Sequence, residues 1–282
     1  MARSTGIRIA GMNFHYCRYP FEFFLDSMVT LGVQAIELWA AAPHFYREDL
    51  SPSAIRRIRR EIRSRGLGLV CFTPEQCVYP INLAAKETAF RKRSIAYFLD
   101  NLDAAAELGS PLLLVTPGCG YFSEPRAEAW RRSQDSLATL ARHAERLRVM
   151  LALEPLSPAS SNLINGLSQL RRMVTGVGSS HLRPMLDTVQ MAIIGEDIES
   201  YLEAFGKNLV HIHLVDGAPQ NHLAWGDGIL PLERYLRVLS ENGYAGYATL
   251  EICDRRYFNG PQRADKQSLI RIRKASRVLN AL

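Results

Sequence analysis

The chain has 282 residues, 47% of them hydrophobic and 22% charged, which is ordinary for a globular protein able to bury a full core. No apolar run approaches the roughly 18 residues of a membrane span, and residues 1–6 lack a signal-peptide core, so a cytoplasmic protein with no membrane contact is expected. The net charge of +6 arises largely in expected helices, such as Arg56, Arg57, Arg59 and Arg60 or Arg271, Arg273 and Lys274, and reads as solvated helix faces and not as a nucleic-acid surface.

Short apolar runs alternate with amphipathic helical patterns from end to end. A strand over 7–12 leads to a helix over 20–31, and a second strand covers 33–39. Ser51 and Pro52 are good N-cap and first-turn residues for a helix that places Ile55, Ile58 and Ile62 on one face, with Gly66 set to stop it. A third strand follows at 67–72; then come a long loop, a helix over 88–108 ended by Gly109, and a strand over 112–116. A helix over 126–148 precedes a strand ending on Glu154. The pattern continues with helix 167–174, strand 183–188, helix 198–205, strand 209–215, helix 232–242, strand 247–252 and helix 264–279.

Eight strand-helix units favour a closed (β/α)8 TIM barrel of the α/β class over an open doubly wound sheet, and no linker divides residues 1–282, so one domain is expected. No GxGxxG follows the first strand, which removes the main signal for a dinucleotide fold. Five cysteines, at 17, 71, 77, 119 and 253, without CxxC spacing, suit reduced thiols and not a disulfide framework.

Four apolar runs of the second half each end on a possible metal ligand: Glu154, Asp187, His213 and Glu251. The steps between them are 33, 26 and 38 residues, about one strand-helix unit each. Successive parallel strands present their C-terminal ends on one face, which gathers three carboxylates and an imidazole. So much negative charge in one cleft calls for a cation. Side chains alternate along a strand, so His211 and His213 share a side; His213 lies nearer the tip, and His211 is placed one layer deeper as a supporting or core histidine. One divalent metal fits these donors, Mn²⁺ first, with Mg²⁺, Co²⁺ or Zn²⁺ as alternatives.

The segments carrying these residues (153–156, 186–188, 211–215 and 249–251) resemble the metal-binding strands of the xylose isomerase-like barrels, in particular their sugar 3-epimerase branch. In the first half, residues 36–39 with Pro43 and His44, then 73–75 and 79–82, are similar to the bacterial fructoselysine 3-epimerases of that branch. The resemblance implies an enzyme that epimerises or isomerises a ketose or ketose derivative by proton transfer through a metal-stabilised enediolate. It further implies that Glu154 and Glu251, besides holding the metal, act as base and acid on opposite faces of the sugar. Gln190, His222, Ser160, Trp39, His44 and Glu75 are the expected substrate contacts, and a homo-oligomer is expected by the same resemblance.

Three positions depart from the ketohexose 3-epimerase pattern. Gln190 stands where those enzymes have a histidine, and an amide cannot carry a proton at neutral pH. His222 replaces an arginine four residues before the Gly226-Asp227-Gly228 turn. Ser160 replaces a glutamate. Phe14, His15, Tyr16, Tyr121 and Trp225, expected on strand-to-helix loops, and Trp39, at the end of the second strand, would wall the pocket.

Three other outcomes stay open from the sequence. A lyase resembling inosose or dehydroshikimate dehydratases would expel a β-hydroxyl from the same enediolate. A nuclease resembling endonuclease IV would need further histidines at strand tips, and the chain has only seven in all. A non-catalytic binding protein would have little use for the full donor set.

Overall fold

The computed structural model describes residues 7–76, 81–218 and 220–279. Its eight strands are Arg8–Met12 (β1), Ala35–Ala40 (β2), Gly68–Pro74 (β3), Leu112–Val115 (β4), Met150–Leu153 (β5), Leu182–Asp187 (β6), His211–His213 (β7) and Tyr247–Leu250 (β8). They close in chain order into a parallel barrel, β8 pairing with β1. Around them run helices Phe21–Leu31 (α1), Pro52–Ser64 (α2), Thr88–Leu108 (α3), Arg126–Leu147 (α4), Leu167–Val177 (α5), Thr188–Ile193 (α6), Ile198–Phe205 (α7), Leu232–Glu241 (α8) and Pro261–Leu279 (α9). No helix among the described residues is long and apolar enough to cross a membrane.

Local chemistry accounts for the boundaries. Ser51 caps α2 by accepting from the Ala54 N–H, Pro52 opens the helix, and Ile55, Ile58 and Ile62 are buried against the barrel. The expected strand-helix alternation is met throughout, with one addition: α6 starts directly where β6 ends. Its cause is Asp187, whose Oδ1 accepts from the N–H groups of Val189 and Gln190, both at 2.7 Å. The residue read as a strand tip is therefore also a helix N-cap.

Inward-pointing side chains fill the barrel in layers. Ala10, Ala35 and Val70 pack near its floor, and Cys71, Leu114, Ala152 and Met185 form a hydrophobic plug above them. By the same alternation, the next inward residues include Thr73, Thr116, Glu154, Asp187, His213 and Glu251, so the site rests on a base that is apolar on β3 to β6 and carries buried Glu37, His211 and Thr249 on β2, β7 and β8. The described cysteines are free thiols, as expected. Cys77, together with Tyr79 and Pro80 of the first-half motif, lies outside the described residues.

Candidate metal centre and active site

Register brings the four donors together. Asp187 pairs with His213 across β6 and β7, and His213 pairs with Thr249 across β7 and β8. Glu154 and Glu251 follow β5 and β8 by one residue each. One donor atom from each of Glu154, Asp187, His213 and Glu251 falls within 4.8 Å of all the others. His213 Nδ1 is the hub, at 3.0 Å from Glu251 Oε2, 3.1 Å from Glu154 Oε1 and 3.7 Å from Asp187 Oδ2.

One imidazole nitrogen carries at most one proton and cannot satisfy three carboxylates. Asp187 Oδ2 accordingly lies buried without a hydrogen-bond partner, and Glu251 Oε2 has only the ring nitrogens of His213 and His222 beside it. Three buried carboxylates converging on one imidazole nitrogen fit one divalent cation, and three oxygen donors with one nitrogen suit Mn²⁺ or Mg²⁺ as well as Zn²⁺.

The electrostatics pull the two glutamates apart. Burial, reinforced by the charges of Glu251 and Asp187, lifts Glu154 to about 7 against the opposing pull of His213. Burial also pushes Glu251 upward, but the neighbouring His213 and His222 outweigh it and hold that carboxyl down at about 2. Burial raises Asp187 as well. Against burial, Glu251 and Glu37 keep His213 protonated well above the usual imidazole range.

Behind His213 sits a residue that sequence reasoning passed over. Glu37, fully buried on β2, accepts from His213 Nε2 at 3.1 Å and His211 Nε2 at 2.6 Å, and also from the Thr73 hydroxyl. A proton on Nε2 directed at Glu37 leaves the Nδ1 lone pair facing the other donors. The available signal was a single charge inside the apolar run 35–40, which demands a buried partner. Cys253, two residues beyond Glu251, was also missed; it lies with His222 and Glu251 in a second close group.

Of the expected substrate contacts, His222 comes nearest the centre, with Nδ1 at 2.9 Å from Glu251 Oε2 and Nε2 at 3.7 Å from Asp187 Oδ2. With Gln190, Ser160 and Cys253 it lines a cavity of about 550 Å³ over the C-terminal ends of β5 to β8. The Gln190 Oε1 accepts from the Ser157 N–H at 2.7 Å. Trp39 donates its indole N–H to Glu75 at 3.0 Å and packs on Phe14.

His44 is placed differently from the expectation. Its Nε2 donates to the Tyr19 carbonyl and its Nδ1 accepts from the Asn13 amide, so both ring nitrogens are engaged within the wall and neither is left for a sugar. Three of the expected wall aromatics are likewise core residues. The Tyr16 hydroxyl and His15 both bond buried Asp265, while Trp225 is sealed inside with its indole N–H on the Leu214 carbonyl. Each has a polar tip that finds a partner inside, which is why it packs inward.

A parallel eight-stranded barrel with convergent acid and imidazole donors at its C-terminal mouth has the arrangement of a barrel enzyme. The chain belongs to the xylose isomerase-like TIM barrel family, whose model matches residues 25–275. It is 30% identical to the fructoselysine 3-epimerase of Shigella flexneri over 91% of this chain and 93% of that one. Its fold matches the structure of D-psicose 3-epimerase with D-tagatose from Clostridium cellulolyticum H10, with a TM-score of 0.80 at 20% identity, covering 95% of this chain and 99% of that one. A structure of the IolI protein with a bound zinc atom matches with a TM-score of 0.78 at 18% identity, over 96% of each chain.

Proposed function

We propose that this protein is a divalent-metal-dependent carbohydrate 3-epimerase or isomerase acting on a ketose or ketose derivative of the fructoselysine kind. The observation that carries the reading is the pair Glu154 and Glu251, which approach the same His213 nitrogen from the ends of strands β5 and β8, at 3.1 and 3.0 Å. Two carboxyls that reach one centre from separate strands are placed to be acid and base at one carbon.

Glu154, Asp187, His213 and Glu251 would hold the cation, Mn²⁺ first, and the cation would supply Lewis-acid polarisation of a carbonyl and its neighbouring hydroxyl. The protein's part is then proton transfer. One glutamate takes the proton from the carbon beside the carbonyl, and the other delivers a proton to the opposite face, inverting that carbon. Gln190 and His222 border the space over the donors and would orient sugar oxygens; Glu37 would hold His213 in the ligating tautomer.

The test is turnover of fructoselysine and of free ketoses in deuterated water with Mn²⁺ present. Epimerisation places one solvent deuteron on the inverted carbon with no loss of water, and Glu251→Gln should abolish this while the protein stays folded. Loss of water from the substrate would convert the reading to a lyase, and full activity of the variant would remove Glu251 from the mechanism.

A further inference from the structure

A second cavity adjoins the one over the donors. It has a volume of about 280 Å³, lies over the ends of β3 to β5, and shares Ser160 with its neighbour. The four donor residues line neither cavity; the larger one is tied to the centre by His222, 2.9 Å from Glu251 Oε2, whereas no described residue lining the smaller one bonds a donor, so the reacting part of a sugar belongs in the larger. Ser160 is small and exposed at the seam, leaving the two spaces separated by little side-chain bulk.

Its chemistry is graded. Ile81, Ala85, Phe90 and Leu156 give it apolar walls. Its two amides are consumed internally: Gln76 bonds the Pro74 and Leu114 carbonyls and the Thr116 N–H, and Asn82 bonds the backbone of Ala84 and Cys119. Charge appears only where Lys86 and Glu87 stand, both exposed. The Lys86 ammonium lies in the field of the Glu87 carboxylate, which is further steadied by the Tyr121 hydroxyl at 2.9 Å. Apolar walls leading to adjacent charges of opposite sign match a methylene arm that ends in an ammonium and a carboxylate.

We propose that this cavity is a subsite for the amino-acid arm of a glycated amino acid, with Lys86 reading the α-carboxylate and Glu87 the α-ammonium group. The assignment rests on the ketose reading above and extends it: the sugar sits over the donors, and the arm passes Ser160 into the second cavity. The substrate class is then a ketose joined through nitrogen to a lysine-like chain. A free ketohexose would leave this cavity empty.

The experiment is calorimetric binding of fructoselysine, Nα-acetyl-fructoselysine and D-fructose to the Mn²⁺-loaded protein and to its K86M and E87Q variants. Wild type should prefer fructoselysine to D-fructose by at least tenfold, and each variant should cut that preference by roughly tenfold, the size of one charge-assisted contact. Acetylating the α-amine should cost wild type a similar factor and E87Q little further, because the charge that Glu87 reads is already gone. A wild-type preference near one, or variants that leave it unchanged, would overturn the subsite. Deuterium exchange separates the two readings: preferential binding without exchange keeps the subsite and removes the epimerase, whereas exchange without preference does the reverse.

Discussion

Glu37 shows how a residue that need touch no substrate can govern the site. It holds two histidines at once from a fully buried position, and the carboxylate behind a ligating imidazole sets both ring orientation and basicity. Glu37→Gln keeps the shape and loses the charge, so metal affinity should fall by about 10–100-fold with the fold retained, as read by metal titration beside a melting curve. Glu37→Ala instead strands two buried imidazoles and should cost about 3–5 kcal/mol of stability. The four donors were legible in the chain because strand alternation and repeat spacing speak directly to position. Glu37 was not, because its partners are 174 and 176 residues away and no local pattern names them. Tyr16, His15 and Trp225 were misjudged for a related reason: an aromatic on a loop turns inward when a buried acid or carbonyl receives its polar end.

The element that presents His222 is the connection from β7 to α8, and one buried acid organises it. Asp216 accepts from the N–H groups of Gly217, Gly226, Gly228 and Leu230, all at 2.9–3.0 Å, while its backbone pairs with Leu223. The His222 carbonyl in turn accepts from the Cys253 and Asp254 amides, joining this loop to the one after β8. A methyl group added at Gly228 would lie 2.3 Å from Asp216 Oδ1 and 2.5 Å from the Gly217 carbonyl. Gly228→Ala should therefore open the turn, cost about 1–3 kcal/mol, and raise KM far more than it lowers metal binding; melting curves and metal titration separate the two effects. Strands and long helices were readable from periodicity. The short helix α6 was hidden because a single residue, Asp187, ends one element and caps the next, and pattern reading gave it only the first role.

For the molecule as a whole, the proposed metal centre should make stability depend on pH and metal together. In the metal-free protein, His213 and His222 are held above the ordinary 6.5 by their carboxylate neighbours, so they stabilise the fold below that pH and lose this contribution as pH rises toward the raised values. Glu154, lifted from 4.5 to about 7, loses its contribution across that interval. Glu251, lowered to about 2, acts in the opposite sense only below 4.5. A cation needs a neutral His213 and an ionised Glu154, so its binding strengthens over the range in which the metal-free fold weakens. The rise in Tm on adding Mn²⁺ should be larger at pH 8 than at pH 6; an equal or smaller shift would contradict the ligand set. The plug of Cys71, Leu114, Ala152 and Met185 adds a kinetic consequence. With side chains filling the barrel beneath the donors, the proposed ion and sugar would share one doorway, and a bound sugar would act as a lid over the ion. Saturating substrate should slow the stripping of metal by a chelator, and an unchanged stripping rate would point to a second way out.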